Sequence, residues 1–133
     1  MKKVLLGLLF TVFSITVFGQ TKQLQSKKEI DSFCQTFLTH LKANDVQNAT
    51  NYLMNYWIEH GTEKQRSKQS FVAYLQNITK ENGRVISYKY VGEKLDLDVL
   101  RRSYNLSFKN KLVEITIWFN KTQKGWTVHG FNG

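Results

Sequence analysis

The apolar residues of this sequence change their spacing near Arg84, and this change constrains the fold more than any other feature. Before Arg84 they recur every three or four residues, which is the period of an amphipathic helix. After it they alternate with polar residues, which is the period of a strand with one buried face. The chain is therefore predicted to be an α+β protein, with three N-terminal helices followed by a meander of about four antiparallel strands.

The first helix carries the clearest local signals. Ser26 and Glu29 match a capping box, in which the serine hydroxyl accepts a backbone N–H and the glutamate reaches back. A continuous apolar stripe follows, made of Ile30, Phe33, Cys34, Phe37, Leu38 and Leu41. This helix is predicted to run to about Ala43.

Two further helices are predicted before the strands begin. Asn44-Asp45 is expected to end the first helix and to cap a second one, which ends near Gly61. The polar residues 62–66 are predicted to form a loop, after which Ser67 caps a third helix. Gly83 is expected to end that helix with a left-handed residue.

The strand region is predicted with one ambiguous segment. Residues 92–102 alternate leucine and valine with aspartate, so they form either a short strand or an excursion from the sheet. A tight turn is predicted at Asn110-Lys111 and another turn at 120–125. The side chains predicted to face the helices are Ile86, Tyr88, Tyr90, Tyr104, Leu106, Phe108, Val113, Ile115, Ile117, Phe119, Trp126 and Val128.

Residues 1–19 have the parts of a secretory signal peptide. Lys2 and Lys3 precede the apolar run Val4–Phe18, and Val17 and Gly19 suit the small subsites of a signal peptidase. The alternative is an uncleaved anchor, but this run is shorter than the roughly 20 residues that cross a bilayer. Cleavage before Gln20 would leave a polar leader, 20–26, and one domain, 27–133. The protein is therefore predicted to be secreted or periplasmic, with no stable membrane anchor.

The charge of the chain favours anionic partners but does not select one. The formal net charge is +9, which attracts acidic polymers and phosphates. The cations, Arg101 and Arg102 among them, are scattered and are assigned mostly to element ends and turns, where they are solvated. Together with export, this scatter argues against nucleic acid as a partner.

Cysteine and histidine give no sign of a metal or redox site. Cys34 is the single cysteine, so no internal disulfide forms, and its place in the apolar stripe predicts a buried thiol. His40, His60 and His129 are not spaced as metal ligands. No cofactor and no metal site is predicted.

Four segments carry a family resemblance: Asn44-Asp45 opening the second helix, the stretch 90–94, the run 100–104 and the aromatic-rich ending 125–131. With the order of helices and strands, they resemble the nuclear transport factor 2-like, or SnoaL-like, α+β cone superfamily and its small exported bacterial members. The resemblance implies a curled sheet that wraps around the helices and leaves a conical pocket. Its members include isomerases, dehydratases, binding proteins and dimers formed through the outer sheet face, so the fold leaves the function open.

Aromatic residues with a polar group are the candidate ligand site. They are Tyr52, Tyr56, Tyr88, Tyr104 and Trp126. Their rings suit an apolar ligand, and their hydroxyl and indole groups would orient it. The alternative is that they fill the core of a small domain.

Trp118 and His129 are the candidate interface residues, because alternation places them on the outer face of the sheet. Either a second copy of the chain pairs through this face, or the segment 92–102 folds over it.

The sequence favours a binding protein over an enzyme. An isomerase-like site needs a carboxylate in an apolar pocket, and Asp96 and Asp98 are the candidates for such a base. No catalytic residue is assigned. The expected function is an exported, non-catalytic domain that binds a small hydrophobic ligand or a protein partner. The alternatives are an isomerase or dehydratase, and a pure dimerisation module.

Overall fold

The computed structural model of the chain describes residues 21–133. Within them, three helices are followed by four strands: α1 (Lys27–Lys42), α2 (Val46–Asn55), α3 (Gly61–Asn82), β1 (Ser87–Asp96), β2 (Val99–Ser107), β3 (Leu112–Thr122) and β4 (Gly125–Asn132). The predicted class and element order are confirmed. The predicted signal peptide lies outside the described residues.

The four strands form one antiparallel sheet in the order β1-β2-β3-β4. Its inner face, which packs on the helices, carries the fully buried side chains Leu106, Ile115, Ile117, Phe119 and Val128. The opposite side is called the outer face here. Irregular pairing at Tyr90/Gly92 and Trp118/Phe119 marks two bulges, and bulges of this kind bend and twist a sheet.

The start of α1 follows the predicted capping box closely. Ser26 Oγ accepts the backbone N–H of Glu29 at 3.2 Å, and the Glu29 carboxylate accepts the N–H of Gln25 at 3.2 Å. Asp45 caps α2 in the same way, accepting the N–H of Asn48 at 3.1 Å. Hydrogen bonds from the Asn48 backbone and side chain lower the pKa of Asp45. Both predicted helix starts are confirmed.

The predicted loop at residues 62–66 is wrong, because α3 already begins at Gly61 and residues 62–66 form its first turns. Ser67 is therefore not a cap. Its hydroxyl donates to Glu59 Oε1 at 2.6 Å, and the same oxygen accepts the indole N–H of Trp57 at 2.9 Å. These two bonds lower the pKa of Glu59. Polar composition concealed a helix that has almost no apolar stripe in its first half.

The ambiguous segment 92–102 is a continuous β-hairpin. β1 extends to Asp96 and pairs with β2 up to Val99, and the tight turn contains Leu97 with a positive φ of 55°. Tyr90 faces the helices as predicted but is 46% exposed, since β1 is the edge strand. Ile86 precedes β1 and is 53% exposed, which corrects its placement on the inner face.

The segment before α1 joins the sheet. Leu24 is buried and forms an isolated bridge with Trp126, with N···O distances of 2.9 and 2.7 Å. Gly125 permits this approach, because a Cβ there would lie 2.7 Å from the Leu24 carbonyl oxygen and the φ of Gly125 is 140°. Among residues 21–133, no helix combines the length and apolar character needed to cross a membrane.

Candidate functional site

The space between the helices and the sheet is filled by aromatic side chains. Phe33 of α1 is 1% exposed and lies at its centre. Its ring contacts Tyr52 at a centroid distance of 5.2 Å, Tyr56 at 4.9 Å and Phe119 at 5.7 Å. The part of the cone where a conical pocket is expected is therefore packed core around Phe33.

The five aromatic residues predicted as a ligand site lie in separate surroundings. Tyr52 and Tyr56 lie beside each other on the α2 side of Phe33, with ring centroids 5.6 Å apart and ring planes tilted by 58°. Tyr104 is buried on β2, and Tyr88 on β1 donates its hydroxyl to Gln35 at 3.3 Å.

Trp126 lies elsewhere, in a cleft at the end of the sheet. This end cleft has a volume of about 360 Å³ and is lined by Lys27, Ile30, Glu93, Leu95, Leu100 and Trp126. The first turn of α1, the tip of the β1–β2 hairpin and the start of β4 meet there. The structure thus brings one predicted ligand residue together with five that sequence reasoning did not select.

The walls of the end cleft are mainly apolar and well fixed. Ile30 and Leu100 are buried, whereas Leu95 is 62% exposed at the opening. Trp126 is held by its backbone bonds to Leu24 and by Lys121, whose Nζ lies 5.8 Å from its ring centroid. A fixed aromatic wall with an open apolar edge suits an apolar guest.

An ion pair forms the polar rim of the end cleft. Lys27 Nζ lies 2.6 Å from Glu93 Oε1, and the two side chains are 70% and 19% exposed. The hydrogen bond to Glu93 raises the pKa of Lys27. Each charge is balanced by the other, so the rim adds polarity without a net charge.

Arg102 is a charged residue whose position in the structure differs from the one that its sequence predicts. The sequence counts it among the solvated cations of element ends and turns, but it lies in the middle of β2 with its side chain on the inner face, only 6% exposed. Its guanidinium pairs with Asp31 of α1 and lies 5.1 Å from the ring centroid of Tyr90. The signal was present, because Arg102 occupies the inward position between Leu100 and Tyr104.

Three polar contacts connect α1 to the sheet at a spacing of four residues along the helix. They are Lys27 with Glu93, Asp31 with Arg102, and Gln35 with Tyr88. Residues at this spacing share one face of a helix. The polar side of α1 therefore fixes its position against β1 and β2, beside the end cleft.

Cys34 is fully buried, as predicted, and is expected to be unreactive in the folded protein. Burial raises the pKa of its thiol to about 11, against the opposing effect of hydrogen bonds from Tyr104 and Arg102. The thiolate is the reactive form, and a rise from 9.0 to about 11 leaves roughly a hundredfold less of it at pH 8.

We therefore predict that Ellman's reagent reacts with Cys34 at pH 8 at least about a hundredfold more slowly in native protein than in urea-unfolded protein. The native rate should rise as the pH approaches about 11. Rapid, stoichiometric labelling of the native protein at pH 8 would show that the thiol is not enclosed.

The carboxylates considered as catalytic bases are exposed. Asp96 ends β1 and Asp98 lies in the hairpin turn, so neither has the desolvated surroundings that an isomerase-type base requires. Among the described residues, no group of three or more histidine, cysteine, aspartate or glutamate side chains is arranged to hold a metal ion.

The predicted interface residues lie on the outer face. The guanidinium of Arg101 lies over the Trp118 ring, 5.3 Å from its centroid, and the His129 ring lies 5.9 Å away on the next strand. The segment 92–102 does not fold over this face as a loop, because it lies within the sheet and its hairpin turn, but its Arg101 side chain lies over Trp118. A dimer through this face remains a prediction.

The sequence matches no family model and no curated protein at significant similarity. Solved structures, however, share its fold. A Campylobacter jejuni protein described as an NTF2-like transpeptidase is 17% identical, with a TM-score of 0.56 and coverage of 79% of this chain and 99% of its own. The de novo designed NTF2-fold protein NT-9 is 11% identical, with a TM-score of 0.53 and coverage of 80% and 85%. The chain therefore has the nuclear transport factor 2-like α+β fold, as the resemblance in its sequence predicted.

Proposed function

We propose that the chain is an exported, non-catalytic binding domain whose end cleft takes up a small hydrophobic ligand. The observation that carries this proposal is the apolar lining of the cleft, in which Ile30, Leu100 and Trp126 form the walls and Leu95 stands exposed at the opening. An apolar ligand covering Leu95 would remove water from surface that the folded chain leaves uncovered.

The size of the end cleft supports a small ligand. A volume of about 360 Å³ lies near the lower end of the range for ligand pockets. The Lys27–Glu93 pair at the rim adds one donor and one acceptor group beside the apolar walls. The expected ligand therefore has a compact apolar body and at most one polar end.

Two features favour binding without catalysis. The described charged groups that line the end cleft, Lys27 and Glu93, neutralise each other. Asp96 and Asp98 are exposed on the hairpin. Export is a prediction of the sequence alone, carried by residues 1–19.

The proposal is tested with N-phenyl-1-naphthylamine, an uncharged fluorescent probe of apolar sites. The change is Leu95→Gln, which removes the apolar edge of the end cleft from an exposed position. The matched control is Leu97→Gln, on the same hairpin, where the side chain is 91% exposed and does not line the cleft. Leu95→Gln should weaken probe binding about fivefold, because roughly 1 kcal/mol of apolar contact is lost.

Leu97→Gln should leave the dissociation constant unchanged, and both variants should keep the circular dichroism spectrum and urea midpoint of the parent. Equal effects of the two substitutions, or no saturable binding to the parent, would contradict a ligand site in the end cleft.

A further inference from the structure

A second concavity lies on the outer face of the sheet, away from the helices. It has a volume of about 460 Å³ and is called the outer groove here. Arg101 and Trp118 form one end, Ser103 and Thr116 form the floor, and Glu114 lies at the other end. All five side chains point outward, because they alternate with the buried residues of β2 and β3.

The Arg101 end is cationic, and the nearby carboxylate of Glu93, which also lines the groove, is paired with Lys27. Lys94 of β1 pairs with Arg101 across the strands, which places two positive charges side by side. The two ion pairs found among residues 21–133 involve neither of them. Arg101 Nε and Trp118 Nε1 are also buried without a hydrogen-bond partner. The positive charges of Arg101 and Lys94 therefore attract an oxyanion to this end of the groove.

The arginine is held in place before any ligand arrives. Its guanidinium lies over the Trp118 ring, and Gly130 on the next strand approaches Trp118 so closely that an added Cβ would lie 3.2 Å from Trp118 Cβ. The His129 ring contacts the indole at 5.9 Å. A fixed guanidinium loses little side-chain freedom on binding, which favours affinity.

The opposite end carries a negative charge. Glu114 precedes Trp118 by four residues on β3, which separates their strand positions by about 13 Å. It takes part in neither ion pair of the described residues. Between the two ends, Ser103 Oγ and Thr116 Oγ1 lie 2.8 Å apart and provide hydroxyl groups along the floor.

We propose that the outer groove binds a short zwitterionic peptide, with its C-terminal carboxylate at Arg101 and its N-terminal ammonium at Glu114. Three extended residues span about 10 Å. This length fits the groove, because the side chains of Arg101 and Glu114 shorten the distance of about 13 Å between the strand positions at its two ends. A simple anion meets only the Arg101 end, whereas a single amino acid is too short for both. The site is on the opposite face of the sheet from the helices, and it shares with the end cleft only the edge residue Glu93, which is paired with Lys27.

The test uses isothermal titration calorimetry of the full mature chain with tri-alanine, its C-terminal amide and its N-acetyl form. Amidation of the peptide and Arg101→Gln should each weaken binding about tenfold, because each removes a charge-assisted contact. The amide should be insensitive to Arg101→Gln, since the partner of that residue is already gone. N-acetylation of the peptide and Glu114→Gln should also each weaken binding about tenfold. The N-acetyl peptide should be insensitive to Glu114→Gln, because the ammonium that this residue binds is already gone. Lys109→Gln, in the β2–β3 turn, is the matched control and should change nothing.

Several outcomes would overturn the proposal. Tri-alanine that gives no heat at millimolar concentration excludes a peptide site. Acetate or inorganic phosphate binding as tightly as tri-alanine, with no effect of Glu114→Gln, reduces the groove to an anion site. A dimer in light scattering that Trp118→Ala converts to a monomer assigns the groove to a second copy of the chain. Leu95→Gln should leave peptide binding unchanged, so failure at either site is recognised separately.

Discussion

Phe33→Ala is expected to lower the free energy of unfolding by about 3–5 kcal/mol, the range for truncating a large core aromatic residue. Phe33 is 1% exposed, and its ring contacts the rings of Tyr52 in α2, Tyr56 at the C-cap of α2 and Phe119 in β3. Those neighbours are held in place by the helix and the strand that carry them, so they cannot close the space freely. The substitution should therefore leave a cavity at the centre of the cone.

Urea denaturation followed by circular dichroism measures this effect through the midpoint at constant slope. Phe33→Leu is the matched control, since it keeps most of the volume and should cost about 1.5 kcal/mol or less. A cavity also predicts that benzene, which fills such spaces in other cores, stabilises Phe33→Ala and not the parent. If Phe33→Ala were as stable as Phe33→Leu, the cone would contain the open pocket that the family resemblance implies.

The architecture was predictable because it depends on patterns within short stretches of chain. The capping box at Ser26 and the apolar stripe of α1 place that helix without reference to any other element. The strands are also predicted from short stretches of sequence, since the alternation of apolar and polar residues alone identifies the buried faces of β2 and β3. Where the pattern is weak, as in the first half of α3, the helix is formed by a segment with few apolar residues and the prediction fails.

The candidate site was predictable only in part, because whether an aromatic ring lines a pocket or fills a core depends on contacts between distant elements. Tyr56 and Trp126 look alike in the sequence, but Tyr56 packs on Phe33 whereas Trp126 lines the end cleft. The side chains that join Trp126 there come from α1, β1 and β2. No local spacing in the sequence connects them.

Arg102 shows a different limit of prediction from sequence. Its charge predicts an exposed side chain, whereas its position in the alternating pattern of β2 predicts a buried one. Alternation along β2 places it on the inner face between two buried neighbours, yet its charge favours a solvated position at an element end or a turn. The fold resolves the conflict with Asp31, which stands one helical turn after Lys27 and faces the strand. A buried arginine is stable only when a partner on another element balances its charge.

Asp31→Asn is accordingly expected to destabilise the protein by about 2 kcal/mol, less than the roughly 3–5 kcal/mol for breaking a fully buried pair. The expected loss of stability is smaller than for a fully buried pair because water reaches and screens Asp31. The Asp31 side chain is 49% exposed, whereas that of Arg102 is 8% exposed. The loss arises mainly from the guanidinium, whose Nε is buried without a partner and which would then also lack a counter-ion. The measurement is the urea midpoint at neutral pH.

The neighbouring ion pair supplies the control, because Lys27 contacts Glu93 from a side chain that is 70% exposed. Lys27→Gln should cost less than about 0.5 kcal/mol, as surface pairs do. Adding Arg102→Met to Asp31→Asn should recover most of the lost stability, since an apolar side chain of similar length needs no partner. Two outcomes would contradict the burial of Arg102 as the cause of the stability loss. One is that Asp31→Asn costs no more than Lys27→Gln, and the other is that adding Arg102→Met recovers no stability. Recovery would instead show that the stability lost in Asp31→Asn comes from leaving the buried charge of Arg102 without a partner.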